Sequence, residues 1–358
     1  MNKKVVCLLG LILVILGCDL PRLGSAPVNQ AAPAAAASLT PTLAAGSPSL
    51  SATPSSQAPA LPTQTQAVNP SPTSPARVTA VPTAGVTATI PATPGIGSTR
   101  LSEIDGAKLV YVPAGEFGMG SSEAQYFAAV RLCLNAGGKQ DFCNKWEMLE
   151  KPLHTVFLDA FWIDQTEVTN AMYAMCVGAG TCQPPGHTNS QNQKLYYGED
   201  QFADFPVIWV DWNQANAYCQ WAGRQLPSEA QWEKAARGTD GRTYPWGEGM
   251  DCHKANINGC TGDTTPVGSY PAGASPYGAL DMAGNVAEWV ADWYGASYYA
   301  SSPKSNPTGP TSGDSKILRG GSWDVDIYNG GRSAYRDECG ATCRLSDIGF
   351  RCAISAAP

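Results

Sequence analysis

Ten of the chain's twelve cysteines fall between Cys133 and Cys352, and no other feature limits the possible folds as tightly. The other two, Cys7 and Cys18, lie in an N-terminal stretch of a different kind. There MNKK precedes an apolar run from Val5 to Leu16, too short to span a bilayer comfortably and suited to a leader that exports the chain. Export would place the ten downstream cysteines in an oxidising compartment, where an even number favours disulfides. Zinc is the competing reading, but no C-x-x-C pair occurs and the chain has 3 histidines.

Gly17 directly before Cys18 resembles a bacterial lipobox, in which cleavage leaves the cysteine to be lipidated. An ordinary signal peptide or a short membrane anchor are the alternatives. Residues 1–17 are thus expected to form a lipoprotein signal peptide, with Cys18 as the lipidation site. The protein would then be an exported lipoprotein facing the cell exterior or the periplasm. Residues 18–100 are rich in Pro, Ala, Ser and Thr, and Arg77 is the only charge between Arg22 and Arg100. Such a segment buries too little apolar surface to offset its ordering entropy and reads as a disordered tether. At ~5–6 Å times the square root of its length, it reaches on the order of 50 Å.

The folded region is expected over residues 101–358, which hold all 10 tryptophans. A net charge of -7 without a Lys/Arg cluster argues against nucleic acid as a partner. "AKLVYVPAGEFGMGS" reads as a strand and turn, and Val156, Leu158, Phe161 and Ile163 alternate as strand residues. Thr169 is placed to cap a short helix carrying Met172, Tyr173 and Cys176. Asp211 or Asn213 would cap a second helix ending at Gly223, and Ser228 with Gln231 forms a capping box for a third that stops at Gly238. Trp221, Trp232 and Ala235 are expected to face the core. With no βαβ rhythm and no repeat, these features predict an α+β domain with little regular secondary structure.

Seven ordered pieces carry a resemblance to a known family. They are Val112-Pro113-Ala114-Gly115, His154 to Thr169, Pro206 to Gly238, Tyr244-Pro245-Trp246-Gly247, Asp263 to Tyr270, Gly278 to Trp293, and Leu318 to Ala353. Together they resemble the formylglycine-generating enzyme, or sulfatase-modifying factor, family. The resemblance implies an α+β fold related to C-type lectins. It also implies a disulfide between Cys219 and Cys352, while a second family bridge falls on Ala236 and a residue near Asp337 and is missing. The other eight cysteines are expected to pair with near neighbours: Cys133–Cys143, Cys176–Cys182, Cys252–Cys260 and Cys339–Cys343.

The same resemblance implies calcium. Asp281 and Glu288 carboxylates, with the carbonyls of Gly284 and Val286, match one family site, and hard oxygen donors from a turn suit that ion. A capped turn with two solvated acids is the alternative. A second family site maps to Asn256, the carbonyl of Ile257 and Asp263.

Copper is where the pattern fails. Family oxidases hold copper(I) between two thiolates, the first three residues after the serine of "GGS" and the second five residues later. Counting from Ser322 reaches Val325 and Gly330, neither of which can ligate copper. Catalytic residues are therefore expected to be absent. Ala287 stands where family oxidases usually carry tryptophan beside the substrate groove, which would open the pocket wall. Ser322, Trp323, Asp324, Asp326, Arg332 and Arg336 remain the candidates for lining the groove. Asp324 and Asp326 could bind a cation or a basic group there, or be turn acids. Two functions follow from the resemblance. In the first the domain binds a protein, peptide or glycan in the former substrate groove. In the second it is a formylglycine-generating oxidase or another oxidoreductase acting on exported proteins.

Overall fold

A first strand, β1 (Thr99–Leu101), pairs antiparallel with β2 (Lys108–Val112), so regular structure begins at Thr99, slightly ahead of the expected start at Leu101. All three residues of β1 are exposed, so no apolar alternation marks it in the sequence. The computed structural model describes residues 93–356 except 136, 258 and 326–330. The chain divides into two units, Met1–Ala84 and Gly85–Pro358, and the described residues all lie in the second. Among them no helix is long and apolar enough to cross a membrane.

The stretch expected to be one strand and a turn is two strands in different sheets. Pro113, which has no N–H to donate, ends β2, and β3 (Gly115–Met119) pairs instead with β4 (His154–Leu158). β2 lies beside β5 (Phe161–Asp164), which pairs in turn with β10 (Ala353–Ser355), giving the order β1-β2-β5-β10. A third sheet follows the order β8-β7-β6-β9, from β6 (Ala287–Trp293), β7 (Lys316–Arg319), β8 (Arg336–Cys339) and β9 (Ile348–Phe350). Within it β6 and β9 run parallel.

Five α-helices complete the described residues. α1 (Glu123–Asn135) and α2 (Gln140–Met148) form a hairpin closed by Cys133–Cys143. α3 (Asn170–Gly178) is capped by Thr169, whose hydroxyl accepts from the Met172 N–H. α4 (Trp212–Trp221) and α5 (Glu229–Arg237) carry reciprocal capping boxes, Asp211 with Gln214 and Ser228 with Gln231. Trp232 and Ala235 are fully buried as expected, whereas Trp221 is only partly buried against the cluster around Tyr218.

All five expected disulfides are present: Cys133–Cys143, Cys176–Cys182, Cys219–Cys352, Cys252–Cys260 and Cys339–Cys343. Every cysteine among the described residues is thereby paired.

The core is ionic as well as apolar. α5 buries Glu229, Glu233, Lys234 and Arg237, and Arg319 of β7 is fully buried against it. Arg319 Nη2 donates to Glu233 Oε2 at 2.7 Å, and its guanidinium also serves the carbonyls of Ser333, Ala334 and Tyr335. Arg237 donates to Glu233 Oε1 and to the Gly120 carbonyl. Arg336 meets Glu229 through Nε at 2.6 Å and Nη2 at 2.9 Å. These pairs lock α5, β7, β8 and the residues around Ser333 into one frame.

Asp292, also buried, is pushed up to about 7 by burial and then by the negative charge of Glu229, with Arg336 and Lys316 pulling the other way. An acid with a raised folded pKa contributes stability that is full below its unfolded value, near pH ~4, and is lost by about pH 7. We expect Asp292→Asn to remove this decline, so that its stability relative to the parent chain rises between those limits. Denaturant midpoints measured across the interval check this, and a difference independent of pH would contradict it.

Candidate functional site

The stretch from Ser322 to Arg336 was expected to supply the groove, and the structure spreads its side chains over different roles. Ser322 is fully buried, its hydroxyl donating to Asp347 Oδ2 at 2.8 Å. Trp323 is buried too, with its backbone N–H on the Asn285 carbonyl at 3.0 Å. Asp324 is exposed. Val325 is half-buried in a turn closed by its N–H on the Ser322 carbonyl. Asp326 and Gly330 lie outside the described residues.

The two arginines hold the loop. Arg332 pairs with Glu150 through Nη1 at 2.9 Å and Nη2 at 2.7 Å, both residues buried. Arg336, besides Glu229, donates to the Leu149 carbonyl and stacks 4.1 Å from the Tyr299 ring centroid. Its charge is held far above the usual guanidinium range, because Glu229's attraction outweighs the burial that opposes it. Glu150 and Glu229 were not anticipated as partners; both look like ordinary surface acids in the sequence.

Ala287 does not open a wall. It is buried in β6, within the cluster containing Tyr173, Tyr218 and Trp289. Of the groove candidates, Arg332 lines a cavity of about 360 Å³. Leu132, Ala128 and Met250 give it apolar walls, and Gln125, Thr243 and Glu248 polar ones.

The residues of the two expected calcium sites are brought close together. The Gly284 segment bridges Asn256, and a Cβ on Gly284 would sit 2.1 Å from the Asn256 carbonyl oxygen, so only glycine fits. Asn285 donates its N–H to that carbonyl, and its side chain receives an N–H from Thr265. Asp263 is fully engaged: Oδ2 accepts from the Ser190 hydroxyl and the Asn192 N–H, and Oδ1 accepts from its neighbour Thr264. The Ile257 carbonyl accepts from Cys260.

At the other set, Glu288 is also engaged, by Arg351 at 2.6 and 2.7 Å and by the Trp232 indole at 2.8 Å. Asp281 accepts from the Gly268 N–H at 2.6 Å. Beside it lies a third acid the sequence did not single out, Glu167. Its Oε1 accepts from Asn285, its buried Oε2 receives no N–H or other donor hydrogen, and its carboxyl lies within hydrogen-bonding reach of Asp281. Burial and the negative charge of Asp281 push the Glu167 carboxyl well above the usual range. Burial also raises Asp281. A carboxylate oxygen that receives no donor, next to a second acid, fits a hard cation; the Arg351-bound Glu288 does not. Among the described residues no group of three or more His, Cys, Asp or Glu side chains converges as a metal cage, so backbone carbonyls would have to complete any such site.

Comparison with known proteins identifies the family of the domain. Residues 98–356 match the sulfatase-modifying factor enzyme 1-like domain. The formylglycine-generating enzyme of Streptomyces coelicolor is 33% identical over 300 residues, covering 69% of this chain and 89% of that protein. The serine/threonine-protein kinase Pkn1 of Chlamydia caviae is 35% identical over 260 residues, and this chain spans 38% of that kinase's length. Among solved structures, PvdO from Pseudomonas aeruginosa is 26% identical with a TM-score of 0.58, covering 73% of this chain and 99% of that one. The chain belongs to the sulfatase-modifying factor family.

Proposed function

We propose that this chain is an exported, lipid-anchored binding module of the family, with Cys18 as the anchor and residues 18–100 as its tether. Its ligand is a peptide segment of another protein, taken into the groove beside Arg332, whose apolar walls and polar rim suit an extended chain. The observation that carries this reading is the state of the sulfur: every cysteine among the described residues is in a disulfide, and the residue three positions after Ser322 is Val325, where the family resemblance implies the first copper thiolate. A soft metal ion has no thiolate to bind there.

The likeness to the Streptomyces enzyme favours a second reading, an oxidase that converts a cysteine of an exported protein to an aldehyde. Incubating the full chain with copper(I), oxygen and a cysteine-containing sulfatase peptide separates the two. The binding module leaves the peptide unchanged. Catalytic formation of aldehyde, trapped with a hydrazide, would overturn it.

Calcium belongs to the same proposal as a structural ion. Asp281, Oε2 of Glu167 and the carbonyls of Gly284 and Val286 would hold it, neutralising two buried acids. At calcium about 100-fold above its dissociation constant, stability is expected to rise by about 2.7 kcal/mol over the chelated protein. Thermal unfolding with and without chelator checks this, and coincident curves would contradict it.

A further inference from the structure

A second cavity, of about 590 Å³, lies away from the Ser322–Arg336 stretch, between α4, the start of α5, the β4–β5 turn and the end of β10. We propose that it binds a neutral oligosaccharide. The proposal stands independently of what the groove beside Arg332 binds.

The argument begins with the chemistry of the lining. Trp212, Asn216 and Gln220 recur every four residues along α4, so they share one face of the helix. Gln225 and Gln231 add two more amides. The side chains of Asn216, Gln220 and Gln225 make no hydrogen bond among the described residues, and Gln231 spends only its oxygen, on the Ser228 N–H. Each amide offers a donor and an acceptor side by side, which matches a sugar hydroxyl or a vicinal pair.

Charge points the same way. Asp159 is the one ionisable side chain lining the cavity among the described residues, and it is bound to Asn306: Nδ2 donates to Oδ2 at 2.8 Å, and Oδ1 accepts the Asp159 N–H at 3.0 Å. An anionic ligand would meet only the like charge of Asp159, which the neutral Asn306 amide binds but does not cancel. Apolar surface suited to the C–H faces of sugar rings comes from the half-buried Ala160 and Ala291. Trp212 adds carbon surface, because its indole N–H is spent on the Val290 carbonyl.

The backbone that carries these amides is fixed. The Cys219–Cys352 bridge ties α4 to the start of β10, and Gln225 and Ala353 exchange backbone hydrogen bonds of 2.9 and 2.7 Å. Capping bonds hold Ser228 to Gln231. A volume of this size falls in the ordinary range for small-ligand sites. Preorganised walls reduce the entropy lost on binding, which matters for a ligand whose individual contacts are weak.

The test titrates cello-, malto- and chitohexaose into the intact chain by calorimetry, with hexagalacturonate as the acidic comparator. At least one neutral hexasaccharide is expected to bind saturably, and the acidic one not. Asn216→Ala and Gln220→Ala remove half-buried and exposed side chains, so both variants should fold; near-ultraviolet circular dichroism verifies this. Each is expected to weaken binding about five-fold, the loss of roughly one hydrogen bond. Absence of saturable binding by all three neutral sugars up to about 1 mM would overturn the proposal. So would binding that both variants leave unchanged, or stronger binding of the acidic sugar. A peptide that displaces the bound sugar and loses affinity in the same variants would equally reassign the cavity.

Discussion

Replacing Arg319 with methionine is expected to cost about 3–5 kcal/mol of folding stability, because it strips the counter-charge from buried acids. Arg319 is fully buried, and so are Glu233 at 2.7 Å and Glu229 at 3.4 Å. The substitution also orphans three carbonyls, those of Ser333, Ala334 and Tyr335. Methionine fills much of the same volume, so the loss is one of charge and hydrogen bonding more than of packing. Glu233 would keep Arg237 as a partner, whereas Glu229 would keep Arg336. Adding Glu233→Leu should therefore recover only a fraction of the cost, since Arg237 then loses its own acid. Guanidinium unfolding with the disulfides intact measures both variants. A single-variant loss below about 1 kcal/mol, the range of surface pairs, would show that water reaches this network.

The second large effect concerns Cys219–Cys352, whose partners are 133 residues apart. On the chain-entropy estimate, closing a loop of that length contributes about 5 kcal/mol, against about 2 for Cys339–Cys343 with a separation of 4. The double variant Cys219→Ala, Cys352→Ala should accordingly lose more than twice what Cys339→Ala, Cys343→Ala loses. Both cysteines of the long bridge are completely buried, so the removed sulfurs also leave a void that adds to the difference. Equal losses in the two variants would mean that packing around α4 already holds β10 in place and the cross-link constrains little.

Much of the fold was legible because its signals are local. Thr169, Asp211 and Ser228 announce helix starts through side chains that can reach a backbone N–H three residues on. The four short-range disulfides follow from nearness in the chain, and the long one from the family resemblance. What stayed hidden depends on partners distant in sequence. Glu229, Glu233 and Arg237 recur every four residues on α5, which reads as a solvated face; Arg319 and Arg336, some 90 to 110 residues on, bury it. Glu167 looks like one acid in "DQTEVTN" until the fold sets it beside Asp281. The roles of Arg332 and Arg336 shifted for the same reason: their counter-ions lie on elements far upstream. Of the six groove candidates, Ser322, Trp323, Arg332 and Arg336 are buried, and the two arginines are spent on ion pairs that hold the loop.

Copper(I) titration of the purified chain against a chromophoric chelator tests the central claim most directly. On the proposed reading, in which no thiolate follows Ser322 and the described cysteines are bound to one another, the chain should leave the chelator complex undiminished. Withdrawal of one equivalent of copper per chain, held against excess chelator, would contradict the account.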